Sequence, residues 1–211
     1  MNASSDAELL RSWMNGGRDA GQALVERHYR TVFLFFHARL DPDASADLTQ
    51  VTFATLCENG HKYRGASSFR AYILGVARWK LVAHFRRIRS RQEEPEPAEG
   101  DFVPPASDRS LTSVWAARER ESQLVEALRM LTLDDQLLLE LKEYEGFTAR
   151  EIAEVLAVPP GTVATRLRRA RKLLREHVEQ LGQAGLAELT GTTLQEHLRQ
   201  VRNAFVASRV R

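Results

Sequence analysis

Apolar residues recur at the spacing of amphipathic helices along most of the chain, and glycine, asparagine and proline interrupt the pattern. Strand-like alternation is scarce and no repeat of fixed period is present, so the pattern predicts an all-α fold. In the first half the predicted helices are Asp6 to Met14, Gly21 to Leu40, about Ala44 to Asn59, and Ser67 or Ser68 to about Arg91. In the second half they are Leu111 to Met130, Asp134 to Tyr144, two shorter helices after Phe147, and one that begins at the capping-box pattern Thr193 to Glu196.

A stretch rich in proline and acidic residues separates the two halves. Gln92 to Asp108 contains four of the seven prolines and six acidic residues. Proline removes backbone donors and like charges repel, so this stretch is expected to stay extended. We therefore expect two small helical domains, at 1–91 and 111–178, joined by a flexible acidic linker at 92–110 and followed by a helical extension at 179–211.

The net charge of +2 conceals an uneven distribution of charge along the chain. Between His61 and Arg91 there are nine Lys or Arg residues and no acid. Between Pro160 and Val178 there are six basic residues and one acid. Two basic blocks on either side of an acidic one indicate two surfaces that face a polyanion, and plain solvated helix faces are the alternative.

The second basic block has the features of a helix-turn-helix. Thr148 and Glu151 form a capping-box pattern, and the prolines at 159 and 160 stop the first helix. The second helix has an apolar stripe of Val163, Leu167, Ala170 and Leu174, with Thr165, Arg168, Arg169 and Lys172 on the opposite face. Arginine matches guanine edges or phosphates bidentately, so this face suits the major groove of DNA. The alternative is an ordinary helical hairpin with a solvated basic face.

The first basic block combines arginine with aromatic residues. On the predicted helix that ends at Arg91, one face carries Ile73, Val76, Ala77, Leu81 and Ile88, and the other carries Arg78, Trp79, Arg86 and Arg89. Aromatic rings stack on unpaired bases while arginines hold phosphates, which favours a surface for single-stranded nucleic acid. Packing of Trp79 against another helix of the same domain is the alternative.

Residues for catalysis or metal binding are not concentrated anywhere in the sequence. The six histidines are scattered, and no phosphate-binding glycine loop or nucleophile motif is present. We expect no enzymatic activity, no cofactor and no metal, and we expect Cys57 to be a small core residue on an apolar helix. The chain begins without a signal-peptide pattern and has no long apolar run, so a soluble cytoplasmic protein without membrane insertion is expected.

The order of these motifs resembles that of sigma-70 family factors. The stretches Asp47-Leu-Thr-Gln50-Val-Thr-Phe53, Tyr63 to Phe69 with Tyr72, Ala77-Arg78 and Arg86-Arg87 resemble region 2 of that family. Glu151-Ile-Ala153, Pro159-x-Gly161-Thr162-Val163 and Arg166-Leu167-x-Arg169-Ala170-Arg171 are similar to region 4. The two-domain form with a short linker resembles an extracytoplasmic-function (ECF) sigma factor over roughly Ala7 to Val178.

The resemblance implies an alternative sigma factor, a promoter-specificity subunit that binds core RNA polymerase, recognises the −35 and −10 elements of promoter DNA and helps to melt the −10 region. It implies −35 contacts by Thr162, Thr165, Arg166, Arg168, Arg169 and Lys172. It implies contacts to the single-stranded −10 element, including a flipped base, by Tyr63, Arg64, Ser67, Ser68, Phe69, Arg78, Trp79 and Arg86. It implies that the β′ clamp helices of the polymerase are bound by Asp47, Leu48, Gln50 and Phe53, and the β flap by apolar surface beside region 4. In the holoenzyme such a factor is associated with the nucleoid.

The sequence departs from the family pattern at several positions. Trp79 stands where the family usually has asparagine, so base stacking is expected there in place of amide contacts, and Ala164 replaces a longer contact residue. Gln136 replaces a frequent arginine. Ala157 replaces the usual turn glycine, and because alanine in a left-handed turn costs about 1–2 kcal/mol, an adjusted turn is expected.

Three functional questions stay open at this level. A stand-alone helix-turn-helix regulator is the first alternative, and it predicts specific duplex binding without polymerase. A protein that binds polymerase without recognising promoters is the second. The extension beyond Glu179 has an apolar face that suits docking on the protein itself, on an anti-sigma factor or on polymerase.

Overall fold

The computed structural model describes residues 4–59, 63, 68–91 and 126–181, and within these ranges the chain is helical and has no strand. The all-α prediction is confirmed. The helices of the first half are α1 (Asp6–Met14), α2 (Arg18–His37), α3 (Pro42–Asn59) and α4 (Phe69–Arg91). Those of the second half are α5 (Leu133–Leu139), which continues into a π-helical segment (Glu140–Tyr144), then α6 (Ala149–Leu156) and α7 (Pro160–Gln180).

The helix starts follow local capping chemistry. Ser5 and Glu8 form a capping box at α1, and the Ser68 hydroxyl accepts a hydrogen bond from the Ala71 backbone N–H at 3.3 Å at the start of α4. The Asp41 carboxylate accepts from the Ala44 backbone N–H at 2.9 Å, and Pro42 occupies the first helical position. Helix α3 therefore begins two residues earlier than the apolar pattern predicts.

Two other helices differ from their predictions, and the first of them, α2, ends at His37 rather than at Leu40. Helix α2 begins at Arg18, so Gly21 is an interior position rather than a helix start. A Cβ atom at Gly21 would lie 2.6 Å from the Trp13 indole nitrogen, so the glycine lets α1 pack closely on α2. The helix predicted over Asp134 to Tyr144 widens into π geometry from Glu140, a difference that apolar spacing does not resolve.

Helix α4 lies at the centre of the fold. It packs against α2 and α3 on one side and against α6 on the other, and one apolar core runs through both halves of the chain. Ile73, Ala77 and Leu81 are fully buried in it, as the apolar face of α4 predicts. The halves that the sequence pattern separates are therefore in contact in this structure.

Some predictions fall outside the described residues. These are the linker, the extension with its Thr193 helix, and most of the helix predicted over Leu111 to Met130, of which residues 126–129 are helical. Cys57 is exposed, so its prediction as a core residue was wrong. No described helix is long and apolar enough to cross a membrane.

Candidate nucleic-acid interface

The helix-turn-helix is built by α6 and α7. At the start of α6 the Thr148 hydroxyl accepts from the Glu151 backbone N–H at 3.3 Å, and the Glu151 carboxylate accepts from the Thr148 backbone N–H at 2.9 Å. This is the predicted capping box. Ala157 then adopts a left-handed conformation with φ 54° and ψ 44°, so the turn keeps the geometry that favours glycine and the expected adjustment does not occur.

The basic face of α7 points away from the core. Val163, Leu167, Ala170, Leu174 and Val178 are buried on its inner side. On the outer side Thr165, Arg168, Arg169 and Lys172 are exposed, while Thr162 and Arg166 are half-buried. An exposed basic face on the second helix of a helix-turn-helix is the arrangement that enters a DNA major groove.

Acidic residues of α5 and the π-helical segment hold the side chains of α7. Asp135 accepts a hydrogen bond from Arg169 at 3.3 Å, which leaves the arginine 59% exposed. Glu143 is buried and accepts from Arg171 Nε at 3.1 Å. These carboxylates orient the arginine side chains, and sequence reasoning missed both because 34 and 28 residues separate the partners.

Helix α4 presents a second candidate surface. Trp79 is 61% exposed, and the Lys80 ammonium lies 4.8 Å from its ring centre. Arg86 is also exposed, seven residues along the same helix. A tryptophan this exposed does not serve the core, so its packing against a helix of its own domain is excluded for this structure. Arg78 is different, because its guanidinium donates to Asp134 of α5 at 2.7 and 3.0 Å.

Aromatic rings cluster where α4 begins. Tyr63 lies 5.7 Å from Phe69 and 5.1 Å from Tyr72, measured between ring centres. Phe69 is buried and contacts the ring of His28, so it supports the cluster, and its contact with DNA stays a prediction. Burial raises the pKa of both Tyr63 and Tyr72, and the negative charge of Glu154 raises it further. Arg64 and Ser67 lie outside the described residues, and Ser68 is exposed.

The predicted polymerase-binding residues lie on α3. Asp47 and Gln50 are exposed and Leu48 is half-buried. Phe53 is 8% exposed, with its ring stacked at 6.3 Å on that of Tyr29, so it is buried in this structure and its contact with polymerase stays a prediction. Tyr29 of α2 is 44% exposed and is the aromatic ring that stacks on Phe53. The helical pattern of α2 alone did not separate Tyr29 from the other residues of that helix as a candidate for polymerase binding.

Among the described residues, ion pairs and a hydrogen bond join the second half of the chain to α4 and its neighbours. Arg39 pairs with Glu140, Arg70 pairs with Glu145, and Arg78 pairs with Asp134 at 2.7 Å. The Ser68 hydroxyl donates to Glu151 at 2.5 Å. In each contact the basic or hydroxyl group belongs to the first half and the carboxylate to the second.

The described residues contain no group of His, Cys, Asp and Glu side chains with the arrangement of a metal site. The geometry of this part of the chain is instead that of two basic helix faces, one on a helix-turn-helix and one beside an aromatic cluster.

The fold and its two basic faces define a sigma-70 type protein. The family model described as sigma-70 region 2 matches residues 24–91, and the one described as sigma-70 region 4 matches residues 121–174. The chain is 31% identical over 173 residues to the ECF RNA polymerase sigma factor SigM of Mycobacterium tuberculosis, covering 81% of this chain and 83% of the relative. The chain therefore belongs to the ECF sigma factors. It is an alternative sigma factor, which serves the initiation of transcription.

Other relatives and solved structures agree with this family. The chain is 25% identical over 163 residues to the ECF sigma factor SigX of Bacillus subtilis, covering 76% of this chain and 84% of the relative. The fold is similar to that of CnrH in complex with the cytosolic domain of CnrY, with a TM-score of 0.59, 20% identity, and coverage of 84% and 99% of the two chains. It is also similar to that of the sigma factor RpoE of Bartonella quintana in complex with the anti-sigma factor NepR, with a TM-score of 0.55, 19% identity, and coverage of 75% and 96%.

Proposed function

We propose that this sigma factor recognises the −35 element with α7. The observation that carries the proposal is the exposed face of Thr165, Arg168, Arg169 and Lys172 on a helix whose opposite face is buried. Thr162 and Arg166 lie at the edge of the same surface and suit contacts to the DNA backbone. Asp135 holds Arg169 while leaving it exposed, which reduces the entropy lost when that arginine engages a base or phosphate.

The −10 element is then bound, as one strand, along α4. Trp79 supplies a stacking surface for an unpaired base, and Arg86 supplies positive charge on the same helix. Tyr63, Ser68 and Tyr72 lie at the start of α4, where a flipped base would stack or form hydrogen bonds. Arg64, Ser67 and Arg78 complete this proposed set.

Core RNA polymerase is the partner that positions both surfaces. Asp47, Leu48 and Gln50 are proposed to bind its β′ clamp helices through the outer face of α3, with Tyr29 and Val51 adding exposed apolar area. Apolar surface beside region 4 is proposed to bind the β flap. We assign region 2 to 1–91, the linker to 92–110, region 4 to 111–178 and an extension to 179–211.

The cellular setting follows from this role. The protein is proposed to act in the cytoplasm, and at the nucleoid when it is part of the holoenzyme, as a specificity subunit without catalysis or cofactor of its own. An anti-sigma factor is a proposed further partner, because the fold is similar to that of a sigma factor in complex with NepR.

In vitro transcription with core polymerase tests the proposal. Over a promoter library we expect specific initiation that core polymerase alone does not give. Sequencing of the transcripts then identifies both promoter elements. A matched reaction with the double variant Arg168→Ala and Arg169→Ala is expected to lose selection at −35. Initiation no higher than with core alone would overturn the role, and tight binding of one duplex site without polymerase would favour a stand-alone regulator.

A further inference from the structure

A buried histidine connects α1 to the start of α4. His28 of α2 is 5% exposed, and a polar group that is buried needs a hydrogen-bond partner. Its Nε2 atom lies 2.9 Å from Oδ2 of Asp6, in the first turn of α1. The carboxylate only accepts, so the imidazole donates from Nε2, and burial lowers the pKa of His28 and thereby keeps the ring neutral. The hydrogen bond therefore fixes the direction in which the ring points.

The other carboxylate oxygen of Asp6 is also occupied. Oδ1 accepts from the Arg27 guanidinium at 2.6 Å, and the same guanidinium nitrogen donates to the backbone oxygen of Ser4 at 2.9 Å. At the far end of α1 the Trp13 indole fills the space that a side chain at Gly21 would need. Helix α1 is therefore fixed to α2 near both of its ends, and this fixes the orientation from which Asp6 holds the histidine.

From His28 the contacts continue through aromatic rings. Its ring centre lies 5.4 Å from that of Phe69, and the Phe69 ring centre lies 5.7 Å from that of Tyr63. The planes of these pairs meet at 65° and 84°, and the energy of an edge-to-face pair depends on the orientation of both rings. Phe69 is 3% exposed, and close packing in the interior transmits a displacement of one side chain to its neighbours. Each ring therefore restricts the next.

The charge of Asp6 reaches the same rings. Burial raises the pKa of the Tyr63 phenol most, and the negative charges of Glu154 and Asp6 raise it further. The ring centre of Tyr72 lies 5.1 Å from that of Tyr63, and these two tyrosines form the aromatic cluster together with Phe69. Asp6 is thus close to the rings at the place where the −10 strand is proposed to put a flipped base.

We propose that His28, held by Asp6, positions the aromatic cluster for the flipped base of the −10 strand. The inference rests on the proposed −10 surface at the start of α4. His28 is buried, so it acts through Phe69 and does not contact the base itself. Helix α1, which precedes the residues 24–91 that match sigma-70 region 2, thereby becomes part of the −10 site.

A cycle of protein variants and abasic oligonucleotides tests this positioning in the assembled holoenzyme. The probe is a labelled single strand that carries the −10 element found by sequencing the transcripts, either intact or abasic at one position at a time. A base that stacks on an aromatic ring contributes about tenfold to affinity. The position of the flipped base is the one at which an abasic site removes the effect of Tyr63→Ala.

The buried histidine should be coupled to that same base. We expect His28→Leu to weaken binding of the intact strand by about tenfold and to leave unchanged the binding of the strand that is abasic at the flipped base. Asp6→Ala should show the same pattern with a smaller loss. The matched variant Asp19→Ala removes an exposed carboxylate from the first turn of α2 and should bind both strands as the wild type does.

Two further measurements keep the test specific. Trp79→Ala changes a residue about two turns beyond Tyr72 on α4, roughly 10 Å away along the helix. It should weaken binding of both strands by the same factor, because Trp79 acts at another base. If His28→Leu loses its helical circular dichroism, Asp6→Ala serves as the test, since the Asp6 side chain is 27% exposed and its removal opens no cavity in the core.

The outcomes separate this inference from the proposed function. Equal losses on the intact and the abasic strand in His28→Leu would mean that the residue supports only general structure, and the positioning would be overturned. The proposed surface would still stand in that case, as long as Tyr63→Ala remains coupled to one base. If Tyr63→Ala is coupled to no base, the proposed site of the flipped base is itself removed.

Discussion

Helices α4 and α7 both carry a basic face, but different parts of the chain neutralise them. On α7 the carboxylates come from the adjacent α5 and π-helical segment and, for Lys172, from Glu176 of α7 itself, and the outer residues Arg168 and Lys172 remain exposed. On α4 the carboxylates come from the other half of the chain, and they pair with Arg70 and Arg78. The first arrangement positions arginines for a partner, and the second occupies them. A basic helix face is therefore available to DNA only when the neighbouring carboxylates leave its outer basic side chains exposed.

The largest expected effect is on the α7 side of this comparison. The double variant Arg168→Ala and Arg169→Ala should weaken −35 binding by the holoenzyme by about 2–6 kcal/mol, at roughly 1–3 kcal/mol for each bidentate contact. Competition binding with promoter fragments that carry or lack the −35 element measures it. A control that removes two exposed charges elsewhere, Arg11→Ala and Arg18→Ala, should leave −35 selection unchanged. Equal losses in the two double variants would mean that α7 contributes only general charge.

On α4, replacing Trp79 should affect the −10 strand and not the −35 element. Base stacking on an aromatic ring contributes about 1–3 kcal/mol, so Trp79→Ala should weaken holoenzyme binding to the single strand by that amount. Trp79→Phe keeps an aromatic face and should retain part of the affinity. The comparison between the helices fails if Trp79→Ala lowers −35 selection as much as −10 binding. Anisotropy with labelled −10 and −35 fragments resolves the two losses.

The helix caps provide a matched pair across the two halves. Thr148 caps α6 and Ser5 caps α1 with the same capping-box geometry. Replacement of either by alanine should lower the free energy of unfolding by about 1 kcal/mol, measured by urea denaturation. Only Thr148→Ala should also weaken −35 binding, because α6 supports α7. Weaker −35 binding in Ser5→Ala would show that the loss follows general stability.

The turn between α6 and α7 contains a strained residue, and relief of this strain should change stability by less than the loss of a helix cap. Ala157 is left-handed, which costs an L-residue about 1–2 kcal/mol, whereas glycine adopts this conformation freely. Part of the gain is offset because glycine has more freedom in the unfolded chain. Ala157→Gly should therefore raise the free energy of unfolding by less than about 1 kcal/mol, while Ala164→Gly, at an exposed position inside α7, should lower it. Thermal denaturation of both variants checks the opposite signs, and a lower Tm for Ala157→Gly would contradict the strain.

Local signals in the sequence were sufficient for most of the helices and for the helix-turn-helix. The apolar stripe of α7 and the Thr148 cap act over one or two turns, and the exposure of Trp79 follows from the apolar face opposite it. The partners of Arg78 and Arg169 did not follow, because carboxylates 56 and 34 residues away are brought in by packing. Phe53 and Phe69 lie within motifs whose polar members are exposed, and only the tertiary contacts with Tyr29 and His28 show that these two rings are buried.

The smallest expected effect is a pH dependence at the base of α4, on the side opposite α6. Burial lowers the pKa of His28, against the opposing effect of the Asp6 carboxylate 2.9 Å away, while Arg27 and Arg70 lower it further. The ring of His28 contacts Phe69, so its charge state affects the packing that begins α4. Because the folded chain binds this proton less readily than the unfolded chain, the stabilisation is complete above the ordinary histidine pKa of about 6.5 and is lost as the pH falls below it. Urea denaturation should show that the free energy of unfolding decreases as the pH is lowered from about 7.5 to about 5.5, and His28→Gln should reduce that slope.

A second histidine contributes to the same pH dependence. Burial and the nearby Arg87 also lower the pKa of His84, so His84→Gln should remove a separate part of the slope. Retention of the full slope in both variants would place the proton uptake elsewhere in the chain.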